Sequence, residues 1–120
     1  MKNPLPWALA ALLASATVLA RADDPERGKA LYAARCGACH AVDTNRTGPM
    51  HAGLIGRRAG SLPGFAYSPA LAQSRIIWTA ETLDQWLRDP EALIPGQRMY
   101  FRVSDAGERQ AIIDYLGTRR

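Results

Sequence analysis

Both cysteines of this chain fall in one five-residue run, Cys36-Gly37-Ala38-Cys39-His40. Two cysteines three apart make a poor structural disulfide, because the closed loop is tiny and its geometry strained. A redox C-x-x-C of the thioredoxin kind needs a βαβ context, which this sequence lacks. A zinc site would have to add His40 and His51 to the two thiolates, and that set lacks the usual spacing of ligand pairs. C-x-x-C-H is also the attachment motif of c-type haem, and here the spacing has a chemical reason. Two thiols add across two vinyl groups as thioethers. One helical turn brings both sulfurs to the same porphyrin edge, and the adjacent His40 then faces the iron.

The remainder of the chain has need of such a group. Its 120 residues support one domain, and 48% hydrophobic content with 22% charged residues excludes a disordered protein. The N-terminus reads as an export signal: Lys2, an apolar run over Ala8 to Ala20, the small-x-small site Ala20-Arg21-Ala22, then polar Asp23-Asp24-Pro25. We therefore expect a signal peptide over 1–22 and a mature domain over 23–120. An uncleaved anchor is the alternative, but the run falls short of the roughly 18 apolar residues of a membrane span, so no stable membrane insertion is expected. Lys2 and Arg21 leave with the signal and no acid does, so the formal charge falls from +4 to about +2. With no basic stripe and an exported chain, nucleic-acid binding is not expected.

Asp24-Pro25-Glu26 predicts a helix towards Arg35, with Gly28, Leu31 and Tyr32 on one face. Ser68-Pro69 predicts a short helix to about Ser74. Thr79-Ala80-Glu81 predicts another, carrying Leu83, Trp86 and Leu87 and ended by Pro90. Ile94-Pro95-Gly96 is a turn, and Gln97 to Val103 is extended. Ser104 is expected to cap a last helix with Ile112, Ile113, Tyr115 and Leu116, stopped by Gly117. No run alternates like a paired strand, so the class is all-α with long loops. The segment from Ala41 to Phe65 has no period, and a loop of that length in a small domain implies that it wraps something. A domain of this size buries too little apolar surface to stand comfortably without a staple; the cofactor is expected to be that staple.

The iron needs a sixth ligand. Met50 and His51 follow His40 by only ten and eleven residues and would have to cross to the other face of the ring. Met99 lies beyond two predicted helices, just after the Pro95-Gly96 turn, where the chain can return on the far side. Although a methionine is most often core filler, Met99 is the expected ligand.

From Asp24 to Leu116 the chain resembles the class I c-type cytochromes of the mitochondrial and purple-bacterial type. The matching motifs are Cys36-Gly37-Ala38-Cys39-His40, Arg46-Thr47-Gly48-Pro49, Gly53-Leu54-Ile55-Gly56-Arg57, Pro63-Gly64-Phe65-Ala66-Tyr67, Trp78, and Ile94 through Phe101. The terminal helices match through Gly28, Tyr32, Ile112, Tyr115 and Leu116. The resemblance implies the cytochrome c fold, four or five short helices with long loops around one haem c held by Cys36 and Cys39. It implies His40 and Met99 as the iron ligands, and the Pro49 carbonyl as acceptor from the second imidazole nitrogen. It also implies Arg57, Tyr67 and Trp78 at the haem propionates, with Phe101 over the haem edge beside Met99. Departures from the family pattern are Trp86 where a tyrosine is usual beside the methionine, Leu71 for asparagine, Gln97 for threonine, and Ala52 where histidine is common. His51 stands one place early and receives no role. Glu91 stands where a lysine is usual.

The function implied is a periplasmic, monomeric one-electron carrier rather than an enzyme. Its redox partners would be a membrane cytochrome complex, a terminal oxidase or a periplasmic dehydrogenase. Met/His ligation leaves no open iron site for substrate. A haem subunit of a dehydrogenase or oxidase complex would use the same chemistry. A small peroxidase or gas sensor would need a labile sixth ligand.

Overall fold

The computed structural model describes residues 2–3, 14–16 and 24–120. The expected cleavage after Ala22, and most of the apolar run before it, lie outside the described residues. No helix among the described residues is long and apolar enough to cross a membrane.

Helix α1 (Pro25–Arg35) begins as predicted, with the Asp24 carboxylate accepting from the Glu26 N–H at 3.1 Å. A long irregular segment follows. Ser68 then caps α2 (Pro69–Ala72), accepting from the Leu71 N–H at 3.2 Å. Thr79 and Thr82 form a reciprocal capping box at the head of α3 (Ala80–Arg88), with bonds of 3.1 and 2.8 Å. Asp89 is extended ahead of Pro90, so α3 ends where expected.

Three expectations about the remaining elements need correction. Pro90 ends α3 but also opens a further turn, α4 (Pro90–Leu93), with Asp89 as its cap. Helix α5 (Ala106–Gly117) is capped by Asp105 rather than Ser104; its carboxylate accepts from the Glu108 N–H at 2.8 Å. Nor does Gly117 stop that helix. It is the last helical residue, and Thr118 caps the end. Among the described residues there is no strand, only an isolated antiparallel bridge between Arg58 and Ile77.

Helix α1 lies across α5, and α3 packs on both α5 and α4. The α1–α5 crossing is tight at Gly28. A Cβ there would strike the Ala111 carbonyl and come within 2.9 Å of the Tyr115 Cβ. Tyr32, Leu54, Leu83, Val103, Ile112 and Leu116 form the buried centre.

One charged side chain belongs to that centre. Arg109 is buried, donating to Asp84 at 2.7 Å and to the carbonyls of Val103 and Ser104 at 2.9 Å each. Among the described residues, Asp84 supplies the one carboxylate on the guanidinium. The bond to Arg109 holds the Asp84 carboxyl below its ordinary value of 3.8. A carboxylate with a depressed folded pKa stabilises the fold above 3.8 and loses that contribution as pH falls through its folded value. Asp84→Asn should therefore cost about 1–2 kcal/mol at neutral pH, reduced from the fully buried case because Asp84 is partly exposed. The gap from wild type should close in acid, as melting curves across pH will show. A gap that widened in acid would contradict the assignment.

Candidate functional site

The irregular segment after α1 forms one wall of a cavity of about 540 Å³, a volume that takes a cofactor-sized group. The motif begins where α1 stops. The Cys36 N–H still bonds to the Tyr32 carbonyl at 2.8 Å, and the His40 N–H to the Cys36 carbonyl at 2.9 Å. This last turn brings Cys36, Cys39 and His40 together on the cavity wall. Arg46 ties the turn from outside: its guanidinium donates to the carbonyls of Gly37, Ala38 and His40. Burial pushes the Cys36 thiol up to about 11, which is the reverse of the reactive thiolate a redox C-x-x-C requires.

His40 is oriented by its surroundings. Its Nδ1 donates to the Pro49 carbonyl at 2.8 Å, the bond the resemblance implied, and Nε2 is left free. Burial holds the imidazole below the ordinary histidine value, outweighing the Pro49 bond, so the ring is neutral and able to ligate. Gly48 makes room for it. A Cβ on Gly48 would lie 2.5 Å from Nε2 and 2.6 Å from Nδ1.

Met99 lines the same cavity and Met50 does not. The Met99 loop is braced by two acids at the head of α4, Glu91 and the cap Asp89. Glu91 accepts from the Gly96 N–H at 3.0 Å and the Gln97 Nε2 at 3.2 Å. Asp89 pairs with Arg102 at 3.1 Å. Beyond it, the Val103 N–H bonds to the Leu87 carbonyl at 2.8 Å. Two departures from the family pattern thus belong together, since Gln97 is the partner of Glu91. No sequence rule pairs residues across such a turn.

The other expected site residues also meet at this cavity: Pro49, Arg57, Tyr67, Trp78, Trp86 and Phe101. Arg57 donates to the carbonyls of Met50 and Ala52 at 3.1 Å each. The Arg57 carbonyl accepts from the Trp78 N–H at 2.9 Å, which fixes the two residues side by side. Trp86 packs against Trp78 with ring centroids 5.4 Å apart. Phe101 is 41% exposed and Tyr100 85%, so the chain beside Met99 has an open apolar face.

His51, which received no role from sequence, is in the site. Its ring stacks on His40 with centroids 4.2 Å apart, and its Nδ1 bonds to the Tyr32 hydroxyl at 2.8 Å. A stack between residues eleven apart in a loop leaves no periodic signal.

The residues fit haem c: paired cysteines and a neutral imidazole on the wall of a largely apolar cavity, with a thioether on the same cavity. Comparison with known proteins agrees. The cytochrome c family model matches residues 25–120. The chain is 43% identical over 96 residues to cytochrome c type-1 of Ascaris suum, covering 78% of this chain and 86% of that one. It is 38% identical over 109 residues to cytochrome c2 of Blastochloris viridis, covering 88% and 85%. Among solved structures, cytochrome cH from Methylobacterium extorquens superposes with a TM-score of 0.74 at 39% identity, covering 79% of this chain and 98% of that one. The chain belongs to the cytochrome c family, and haem c is its covalent cofactor, held through Cys36 and Cys39.

Proposed function

We propose that this cytochrome c is a periplasmic, monomeric, single-haem carrier. It would shuttle one electron at a time between protein partners, a membrane cytochrome complex, an oxidase or a dehydrogenase among them, with His40 and Met99 as iron ligands. The observation that carries this reading is the placement of the C-x-x-C-H turn and Met99 on one cavity. When bound, the haem supplies a one-electron iron(III)/iron(II) couple. The chain's residues do the rest. Cys36 and Cys39 tether, and Pro49 holds His40 by its Nδ1. Arg57, Tyr67 and Trp78 receive the propionates, while Trp86 and Phe101 exclude water around the methionine. With both axial positions filled by side chains, no position stays open for a substrate, which favours carriage over catalysis. The signal-like N-terminus supports export, as does haem attachment itself, which takes place outside the cytoplasm.

A reduced pyridine haemochrome spectrum of the exported protein tests the tether. Two thioether links give a c-type spectrum, and a colourless folded protein would end the proposal.

Partner docking should depend only modestly on salt. Arg35 is paired with Glu108 through two bonds of 3.1 Å, and Arg46 is spent on the motif carbonyls. Glu91 faces its own loop. The carbonyls leave the Arg46 charge in place, and Arg98, the third cation expected at this edge, forms no ion pair among the described residues; those two remain to steer a partner, and the charge of the exported chain is small. The rate of electron transfer to a purified protein partner, such as a membrane cytochrome complex, should change less than about threefold between low and physiological ionic strength. A steep fall would show that a strong positive face exists after all.

A further inference from the structure

His51 is a partly buried imidazole that ligation, tethering and propionate binding all leave unused. Its backbone is fixed on the motif side of the cavity, where the His51 N–H bonds to the Ala41 carbonyl at 3.2 Å and the Ala52 N–H to the Val42 carbonyl at 2.8 Å. Its ring lies nearly parallel to that of His40, at 22°. Behind it, Tyr32 meets His51 edge-on at 5.6 Å and Tyr115 at 5.3 Å. A row of rings therefore runs from the α1–α5 crossing to the His40 imidazole.

The Pro49 bond fixes where the His40 Nδ1 points, but a single bond along one direction leaves the ring able to rock about it. A flat partner against the ring face removes that freedom. A leucine would fill the same space without presenting a plane. A histidine presents one, provided its own ring is held. Tyr32 holds it. Burial keeps the phenol well above the ordinary tyrosine value, so it remains an O–H donor. Its hydroxyl lies 2.8 Å from the His51 Nδ1, a bond that ties the ring in place. With its Nδ1 engaged by Tyr32 and its ring face laid against His40, His51 is a neighbour of the ligand.

We propose that His51 is a positioning residue for the His40 ligand: held by the Tyr32 hydroxyl, its stacked ring sets the plane of the His40 imidazole. This rests on His40 being an iron ligand, as proposed above. Partners beyond the ligand orient it and tune its metal, so the ring plane should be visible in the iron's own signals.

The test uses the holoprotein. Wild type is first checked for a c-type haemochrome and for the red sulfur-to-iron band of its oxidised form; if these are missing, the ligation reading fails on its own. His51→Leu removes the flat partner, and Tyr32→Phe removes only the hydroxyl. Both variants should keep the sulfur-to-iron band. His51→Leu should shift the largest electron paramagnetic resonance g value and reorder the haem methyl resonances, and Tyr32→Phe should do the same by a smaller amount. A rocking ring lengthens its bond to Pro49 and becomes a weaker donor, so the reduction potential should rise in the same order. His51→Phe, which restores a flat face, should recover part of the wild-type g value. If His51→Leu fails to fold, Tyr32→Phe carries the test. Unchanged g values and potential, with only a lower melting temperature, would reduce His51 to packing and overturn the proposal.

Discussion

Gly48→Ala is expected to leave the exported chain with little covalently bound haem. The added methyl would occupy the space of the His40 ring, 2.5 Å from Nε2 and 2.6 Å from Nδ1. Either the ring turns away and gives up the Pro49 carbonyl, or the backbone retreats. Retreat is resisted from two sides, because the Gly48 N–H bonds to the Cys39 carbonyl and the Gly48 carbonyl accepts from the Arg46 N–H, both at 2.9 Å. Overpacking of this kind costs about 1–3 kcal/mol. About 2 kcal/mol corresponds to roughly a thirtyfold loss in the competent population. Here the displaced group is the proposed iron ligand, so the loss should appear as haem content. Haemochrome yield per milligram of exported protein measures it. A wild-type yield with a wild-type spectrum would mean that His40 has room the structure does not show.

The sequence was most readable where a local rule decides the outcome. Asp24 before Pro25, Ser68 before Pro69 and Thr79 before its helix all cap as their chemistry demands. The two misread elements were also within reach of such rules. Asp89-Pro90-Glu91 repeats the Asp24-Pro25-Glu26 pattern that opens α1, and it opens α4 for the same reason. Asp105 has a glutamate three residues on, whereas Ser104 has Gly107; the acid-to-glutamate spacing marks Asp105 as the cap. The site divides in the same way. The haem tether is legible because covalent chemistry fixes the cysteine spacing, and the unpatterned loop supplies part of the cavity wall. The stack of His51 on His40, the hold of Glu91 on Gln97 and the burial of Arg109 were not legible. Each joins segments whose approach is set by the tertiary fold, and no periodicity or spacing encodes it.

Met99→Ala should abolish the red sulfur-to-iron band of the oxidised protein and lower its reduction potential. The drop should be on the order of a few hundred millivolts, within the roughly 0.8 V range over which axial ligands set haem potentials. A thioether favours the reduced iron, and alanine offers nothing in its place. The change should be confined to the ligand. Glu91 still holds the Gly96 N–H and Gln97, Asp89 still pairs with Arg102, and Val103 still bonds to Leu87. The loop therefore keeps its course, and added imidazole or cyanide should bind far faster than in wild type because an open position has been created in an otherwise intact wall. Met50 cannot easily take over. Its carbonyl is engaged by Arg57 and its N–H by Asn45, and it does not line the cavity. An oxidised spectrum indistinguishable from wild type would assign the sixth position to another side chain. Retention of the band with a lowered potential would point to Met50 in particular, since Cys36 and Cys39 are taken by the haem tether and Met50 is the remaining methionine of the described domain.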